Sequence, residues 1–414
     1  MERALVTKVK RSKKRSDLRS GFTTGACAAA ASRAAVHALL TGRSPSFITI
    51  TLPNLESATF AVSRLEHHAG AVLAGVIKDA GDDPDCTHDT EIQCFAQWSE
   101  QLGLTLDGGV GVARVTLPGL ELPVGQPAIN PVPRANILDM VQLEWNLNVD
   151  AKLITSPSQA STQQGIALEI RVPDGEERAK ETIGPRLGLI GGISILGTRG
   201  TVKPYSTSAF SASVRQSVQI ANANQQNHVV LTTGSRSEKS AMAMLPHLDS
   251  ICFIQAGDFV GVGLRASKRY RVQTVTVVAM IGKLAKMVAG HMMTHVSGRA
   301  IDFQLLADLA VQSECSAELC QQISKANTGR HVLDLWRETS PQAFLDLLCQ
   351  QAAEHAAVYV DHHVNIEFRL IDFDGSLLAK HYSPSHHTKN CYSSSEHNIV
   401  HRNIDQLSTL DPAP

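Results

Sequence analysis

Four stretches of the 414-residue sequence gather the residue types that bind ligands or move protons. The first is GFTTGACAAAASRAA at residues 21–35. Thr23, Thr24 and Gly25 precede an alanine run, so they stand where a helix begins. Free N–H groups and the positive dipole end at such a start can hold a carboxylate or phosphate. A plain helix cap uses the same residues. The second stretch is KDAGDDPDCTH at residues 78–88, where Asp79, Asp82, Asp83 and Asp85 crowd a Gly/Pro turn between Lys78 and His88. The calcium-loop pattern fails, because Gly81 and Pro84 occupy the wrong places and no Glu closes the loop. Two readings stay open: a solvated acidic turn, or clustered like charges that tune a proton acceptor or attract a cation.

The third stretch is GGISILGTRGTVKPYS at residues 191–206. An apolar strand is expected to end in Gly197-Thr198-Arg199-Gly200, where small residues let a ligand approach the backbone. The strict dinucleotide fingerprint is missing, and the acidic Asp174 and Glu177 lie upstream of the turn. The fourth is GKLAKMVAGHMMTH at residues 282–295. It follows a β-branched run, which puts Lys283 near a helix start at the carboxyl edge of a sheet. His291 and His295, four apart, share a face if that helix continues. Met292 stands where a zincin needs Glu, which excludes metalloprotease chemistry, and a third metal ligand is missing, so no metal site is expected.

The elements that must position these stretches change character along the chain. Residues 1–20 form a basic, flexible lead-in. Residues 21–150 read as an α+β domain: a helix over 25–40, then short strands over 47–52, 58–65, 71–77, 90–96 and 110–115. A proline-rich connector leads to a helix over 134–147. Residues 151–380 read as an α/β domain, doubly wound and Rossmann-like, with a helical C-terminal part. Its expected strands are 166–172, 189–196, 229–232, 251–255 and 272–280, with a late pair at 363–372. Residues 381–414 form a polar, histidine-rich tail without a core pattern, read as flexible.

Bulk composition narrows the function classes. A formal net charge of −1 gives nucleic-acid binding no support. No run of about eighteen apolar residues indicates a membrane span. The eight cysteines are scattered, which reads as buried thiols in a cytoplasmic protein. A homo-oligomer is left open.

Taken in order, the stretches resemble the CbiD family, the cobalt-precorrin-5B C1-methyltransferases of anaerobic cobalamin synthesis. The resemblance runs through LRSGFTTGACAAAA, KDAGDDPDCTH, VTLPGLELPVGQPAINPVPR, GGISILGTRG, LTTGSRSEKSA and GKLAKMVAGHMMTH, and extends to VNIEFRLIDFDGSLL near residue 380. Lys203 and Ala26 depart from the family pattern, which more often has an acidic residue and a threonine at these places.

The resemblance implies methyl transfer from S-adenosylmethionine to ring carbon C1, with cobalt present only inside the corrinoid substrate. Substrate carboxylates are assigned to Thr23, Thr24, Gly25, Arg134, Arg199, Lys283 and His291. Asp79, Asp83, Asp85, Gly197 and Thr198 are assigned to the sulfonium cofactor. Asp82, His88 and His295 are the candidates for proton transfer. A non-catalytic corrinoid carrier is the alternative, and a nucleotide-dependent oxidoreductase is disfavoured by the missing fingerprint.

Overall fold

The computed structural model describes residues 18–150, 165–294, 300–339 and 341–386. It divides into two compact units, one ending at Thr207 and the other starting at Ser208.

In the first unit, helix α1 (Thr24–Thr41) is capped by the Thr23 side chain, which accepts from the Ala26 N–H. It stops at Gly42, whose φ of 66° is the left-handed turn that glycine accepts without strain. Alanine dominates the helix because it is buried on nearly every side. Against it lies a five-stranded sheet of β1 (Arg64–His68), β2 (Ala71–Ile77), β3 (Glu91–Ser99), β4 (Leu104–Gly108) and β5 (Gly165–Arg171), in the order β1-β2-β3-β5-β4. Ile92, Cys94 and Ala96 of β3 and Ile166, Leu168 and Ile170 of β5 face this core, so the odd-numbered residues of both strands face outward.

Helix α2 (Pro131–Asp150) packs on α1. It starts at Pro131, three residues earlier than expected, because a helix's first turn tolerates proline where no intrahelical N–H bond is lost. Between the helices Glu144, 4% exposed, accepts from Arg33 Nε (2.9 Å) and Asn148 Nδ2 (2.8 Å) and meets His37 Nδ1 at 2.7 Å.

Several expectations for this unit need correction. Residues 58–65 are not one strand: Ser57–Ala61 pairs with Phe47–Thr51 in a separate hairpin, and β1 starts afresh at Arg64. The expected division at residue 150 falls instead after Thr207, because β5 inserts between β3 and β4 and completes the first sheet. Residues 189–196 therefore form no α/β strand. They make two-residue strands, Leu189–Ile190 and Gly192–Ile193, which pair with Arg114–Val115 and Gly111–Val112.

In the second unit, helix α3 (Thr207–Ala223) leads into strand–helix alternation: β6 (His228–Thr232), α4 (Ser235–Met244), β7 (Phe253–Gln255), α5 (Val260–Arg269), β8 (Thr274–Met280) and α6 (Ile281–Val288). Helices α7 (Phe303–Gln312), α8 (Ala317–Ser324), α9 (Gly329–Thr339) and α10 (Gln342–Tyr359) follow, then β9 (Asn365–Ile371) and β10 (Leu377–Ser383). The sheet order is β7-β6-β8-β9-β10, with the first four strands parallel and β10 antiparallel. Burial of Val275 through Ala279 in β8 explains the continuous apolar run there. Helices α5 and α9 were not expected: Gly261 and Gly263 break the helical signal of α5, yet both are buried, and a side chain at Gly263 would strike Leu231. The tail expected from His381 begins later, since β10 runs to Ser383. The lead-in up to residue 17 and the tail from residue 387 lie outside the described residues. Among the described residues no helix is long and apolar enough to cross a membrane.

Burial pushes the Glu144 carboxyl up, but the bonds from His37, Arg33 and Asn148 outweigh it and hold its pKa near 2, against an ordinary 4.5. A depressed folded pKa contributes stability above pH 4.5 that is lost as pH falls toward 2. Replacing Glu144 by Ala strands Arg33 and is expected to destabilise the unit by roughly 3 kcal/mol at neutral pH. In urea titrations, the gap between wild type and variant should narrow steadily below pH 4.5.

Candidate functional site

The acidic turn of the first unit is built around a buried cation. Lys78, 1% exposed, reaches Asp85 Oδ2 at 2.6 Å. Asp85 Oδ1 in turn accepts from the Thr87 N–H (2.8 Å) and hydroxyl (2.6 Å). Burial raises the Asp85 pKa, and the Lys78 and Thr87 bonds more than offset this, leaving it below the ordinary carboxylate range. The other carboxylates hold neighbouring backbone. Asp79 receives both terminal nitrogens of Arg19 and the Gly81 N–H, and the Arg19 bond brings its pKa to about 2. Asp82 accepts from the Arg19 N–H (2.8 Å), and Asp83 from the Tyr205 N–H (2.9 Å).

The turn is therefore a latch. Asp79, Asp82 and Asp83 draw residues 19 and 205 onto one loop, while Asp85 is spent on the buried Lys78. His88 is fixed as well: its Nδ1 accepts from the Ala80 N–H at 3.0 Å. A neutral imidazole has one lone pair, so His88 holds none to spare for a general base in this arrangement.

The start of α1 is likewise filled by protein. The Gly25 N–H donates to Leu196 O (3.0 Å), the Ala26 N–H to Thr23 and the Cys27 N–H to Thr23 O. Thr24 Oγ1 accepts from the Leu196 N–H at 2.9 Å and donates to Ser194 O at 3.1 Å. A side chain at Gly25 would strike Pro133, and one at Gly197 would strike Thr23 at 2.5 Å. GFTTGAC and GGISILGTRG thus pack on each other, and the donors at the start of α1 are taken up by the Ser194 and Leu196 carbonyls. Thr198 and Arg199 are exposed beside this contact, whereas Arg134 donates to Leu106 O at 3.3 Å.

In the second unit, Lys283 stands in the first turn of α6, at the carboxyl end of β8, as expected. Its ammonium pairs with Asp258, which also accepts from the Thr294 hydroxyl at 2.5 Å; Lys286 donates to Thr294 O at 3.2 Å. Burial, then the nearby Lys286, lowers the Lys283 pKa. Helix α6 stops at Val288, and Gly290 takes a φ of 80°, so His291 lies beyond the helix. His295 lies outside the described residues. Sequence reading missed Asp258 and Thr294. The only signal for Asp258 is its place in AGDF directly after β7, at the same sheet edge as Lys283.

Comparison with known proteins gives the family. The CbiD family model matches residues 11–204, and the model of the CbiD C-terminal domain matches residues 293–382. A Geobacillus sp. (strain WCH70) protein named cobalt-precorrin-5B C(1)-methyltransferase is 46% identical over 84% of this chain and 93% of its own. The chain belongs to the CbiD family. CbiD relatives carrying the same name in Leptospira interrogans and Priestia megaterium are 43% and 42% identical, covering 94% and 92% of their lengths. A crystal structure of the cobalamin biosynthesis protein cbiD from Archaeoglobus fulgidus is 21% identical with a TM-score of 0.34, over 78% of this chain and 85% of that one. That overlap is too loose to carry an argument. The first CbiD model spans the acidic turn and the start of α1.

Asp85→Asn leaves the Lys78 ammonium buried without a counter-charge. It should destabilise the first unit by roughly 3–5 kcal/mol, while Lys78→Met combined with Asp85→Asn should recover much of the loss. Chemical denaturation of the double variant and of each single variant decides it. Additive losses would mean that the pair is not coupled.

Proposed function

We propose that this chain transfers the methyl group of S-adenosylmethionine to C1 of cobalt-precorrin-5B, giving cobalt-precorrin-6A in anaerobic cobalamin biosynthesis. The observation that carries the reading is the 46% identity spanning 93% of a relative named for that methylation. Cobalt enters as part of the substrate. Free, buried thiols such as Cys27 and Cys94 suit a cytoplasmic enzyme.

The second unit, read as a Rossmann-like doubly wound domain, is the better home for the methyl donor. Strand order reverses between β6 and β8, whose following turns lead away to opposite sides, and ligands of open α/β sheets bind outside such a switch point. Gly234 stands in the first of those turns, and among the described residues nothing lies within 4 Å of where its side chain would project. This supports a backbone open to a flat ligand. The donor supplies an electrophilic methyl, so the protein's main task is alignment with the ring carbon. The Asp258–Lys283 pair fixes the adjoining loop, and His295 follows that loop in sequence as the proposed base.

Purified protein incubated with cobalt-precorrin-5B and methyl-labelled donor should yield a product heavier by one labelled methyl group in mass spectrometry. An unlabelled macrocycle under competent conditions would sink the assignment. His295→Ala should lower turnover by about a hundredfold with thermal stability unchanged. Full turnover would remove His295 as the base. Asp82→Asn should instead lower thermal stability, because Asp82 holds the Arg19 N–H.

A further inference from the structure

The outer face of the first unit's sheet, opposite α1, bears a cavity of about 650 Å³ lined mainly by strand residues outside the six motifs. Its floor is cross-strand. Phe95 of β3 lies opposite Glu169 of β5, which lies opposite Asp107 of β4. A sheet face turned only to water needs no particular order, but here the groups are set. Arg114 donates to both Asp107 oxygens (3.0 and 3.2 Å) and to Gly108 O and Gly125 O, which consumes the charge of that pair. Glu169 lies against Gly109, where a side chain would come within 2.3 Å of Glu169 Oε1, so the glycine makes room for the carboxylate.

Arg171 is different. Its Nε donates to Glu169 Oε1 at 2.5 Å, and its guanidinium lies over the Phe95 ring, 4.5 Å from the centroid. Both terminal nitrogens have no further partner among the described residues, so the fork is held from behind with its remaining donors unspent. Gln97, Thr105 and Gln126 add further donors around the same space. A site with anchored acids and spare donors suits a ligand rich in acceptors, and a stacked planar fork matches a carboxylate in two-point contact.

We propose that this cavity binds carboxylate side chains at the edge of the corrinoid substrate, with Arg171 as the principal donor and Phe95 and Glu169 as its positioning residues. The proposal rests on the corrinoid reading above, and it names where the macrocycle's acids are recognised. The loop residues first assigned to them, at the start of α1, are filled by protein.

The test is direct binding, followed calorimetrically, with two corrins as probes: cobyrinic acid, whose side chains are free acids, and cobinamide, whose side chains are amides. Wild type should bind the acid more tightly than the amide. Arg171→Gln should weaken binding of the acid at least about tenfold and leave the amide unchanged, with an unaltered melting curve. Arg64→Gln, a surface change on β1, should alter neither. Equal binding of the acid by wild type and Arg171→Gln, or no preference of wild type for the acid, would overturn the proposal. The labelled-methyl assay separates this from the function itself. Methyl transfer with an unchanged KM in Arg171→Gln overturns the cavity and leaves the methyltransferase standing. Arg171-dependent binding of the acid without methyl transfer by wild type does the reverse.

Discussion

A lysine with 1% of its surface in water must find its counter-charge within the protein, and in this chain Lys78 finds it in Asp85. Burying an ammonium without a partner is so unfavourable that the loop after β2 has to fold back to supply one. Once it does, the positions of its neighbours follow. Asp79 and Asp82 face residue 19, Asp83 faces residue 205, and His88 turns its Nδ1 to Ala80. The chain entering α1 and the chain leaving the first unit are thereby tied to one turn. A motif that resembles a ligand loop in sequence is first a structural latch.

The same lesson holds at the start of α1. Thr23, Thr24 and Gly25 were legible as a helix start, and the cap is present. Their partner was not legible, because Leu196 lies far along the sequence and its carbonyl fills the place that an anion would take. Local residue types show a donor-rich helix end, whereas long-range packing decides who accepts. The length of α1 and the apolar runs of β2 and β8 were readable, since each depends on neighbours in sequence. The membership of β5 in the first sheet depended on pairing with strands some seventy and sixty residues earlier, and no local signal records it.

In the second unit the reading placed Lys283 at the sheet edge, because topology does the positioning there, but it missed Asp258. Parallel strands bring their following turns to one edge, so Lys283 and Asp258, twenty-five residues apart in sequence, meet there. The condition on which His291 would share a helical face, that the helix continue, is not met: Gly290 ends α6 and leaves His291 beyond it. The residues of the sheet-face cavity, Arg171, Glu169 and Phe95, escaped notice for the opposite reason. Alternating polar residues on a strand look like any solvent face until the cross-strand register aligns them.

The central claim is the chemistry, and its most direct test is the position of the new carbon. Product made with a ¹³C-methyl donor should show one enriched methyl resonance in NMR, coupled to ring carbon C1 of the macrocycle. Enrichment at another ring carbon, or none in the macrocycle at all, would contradict the account.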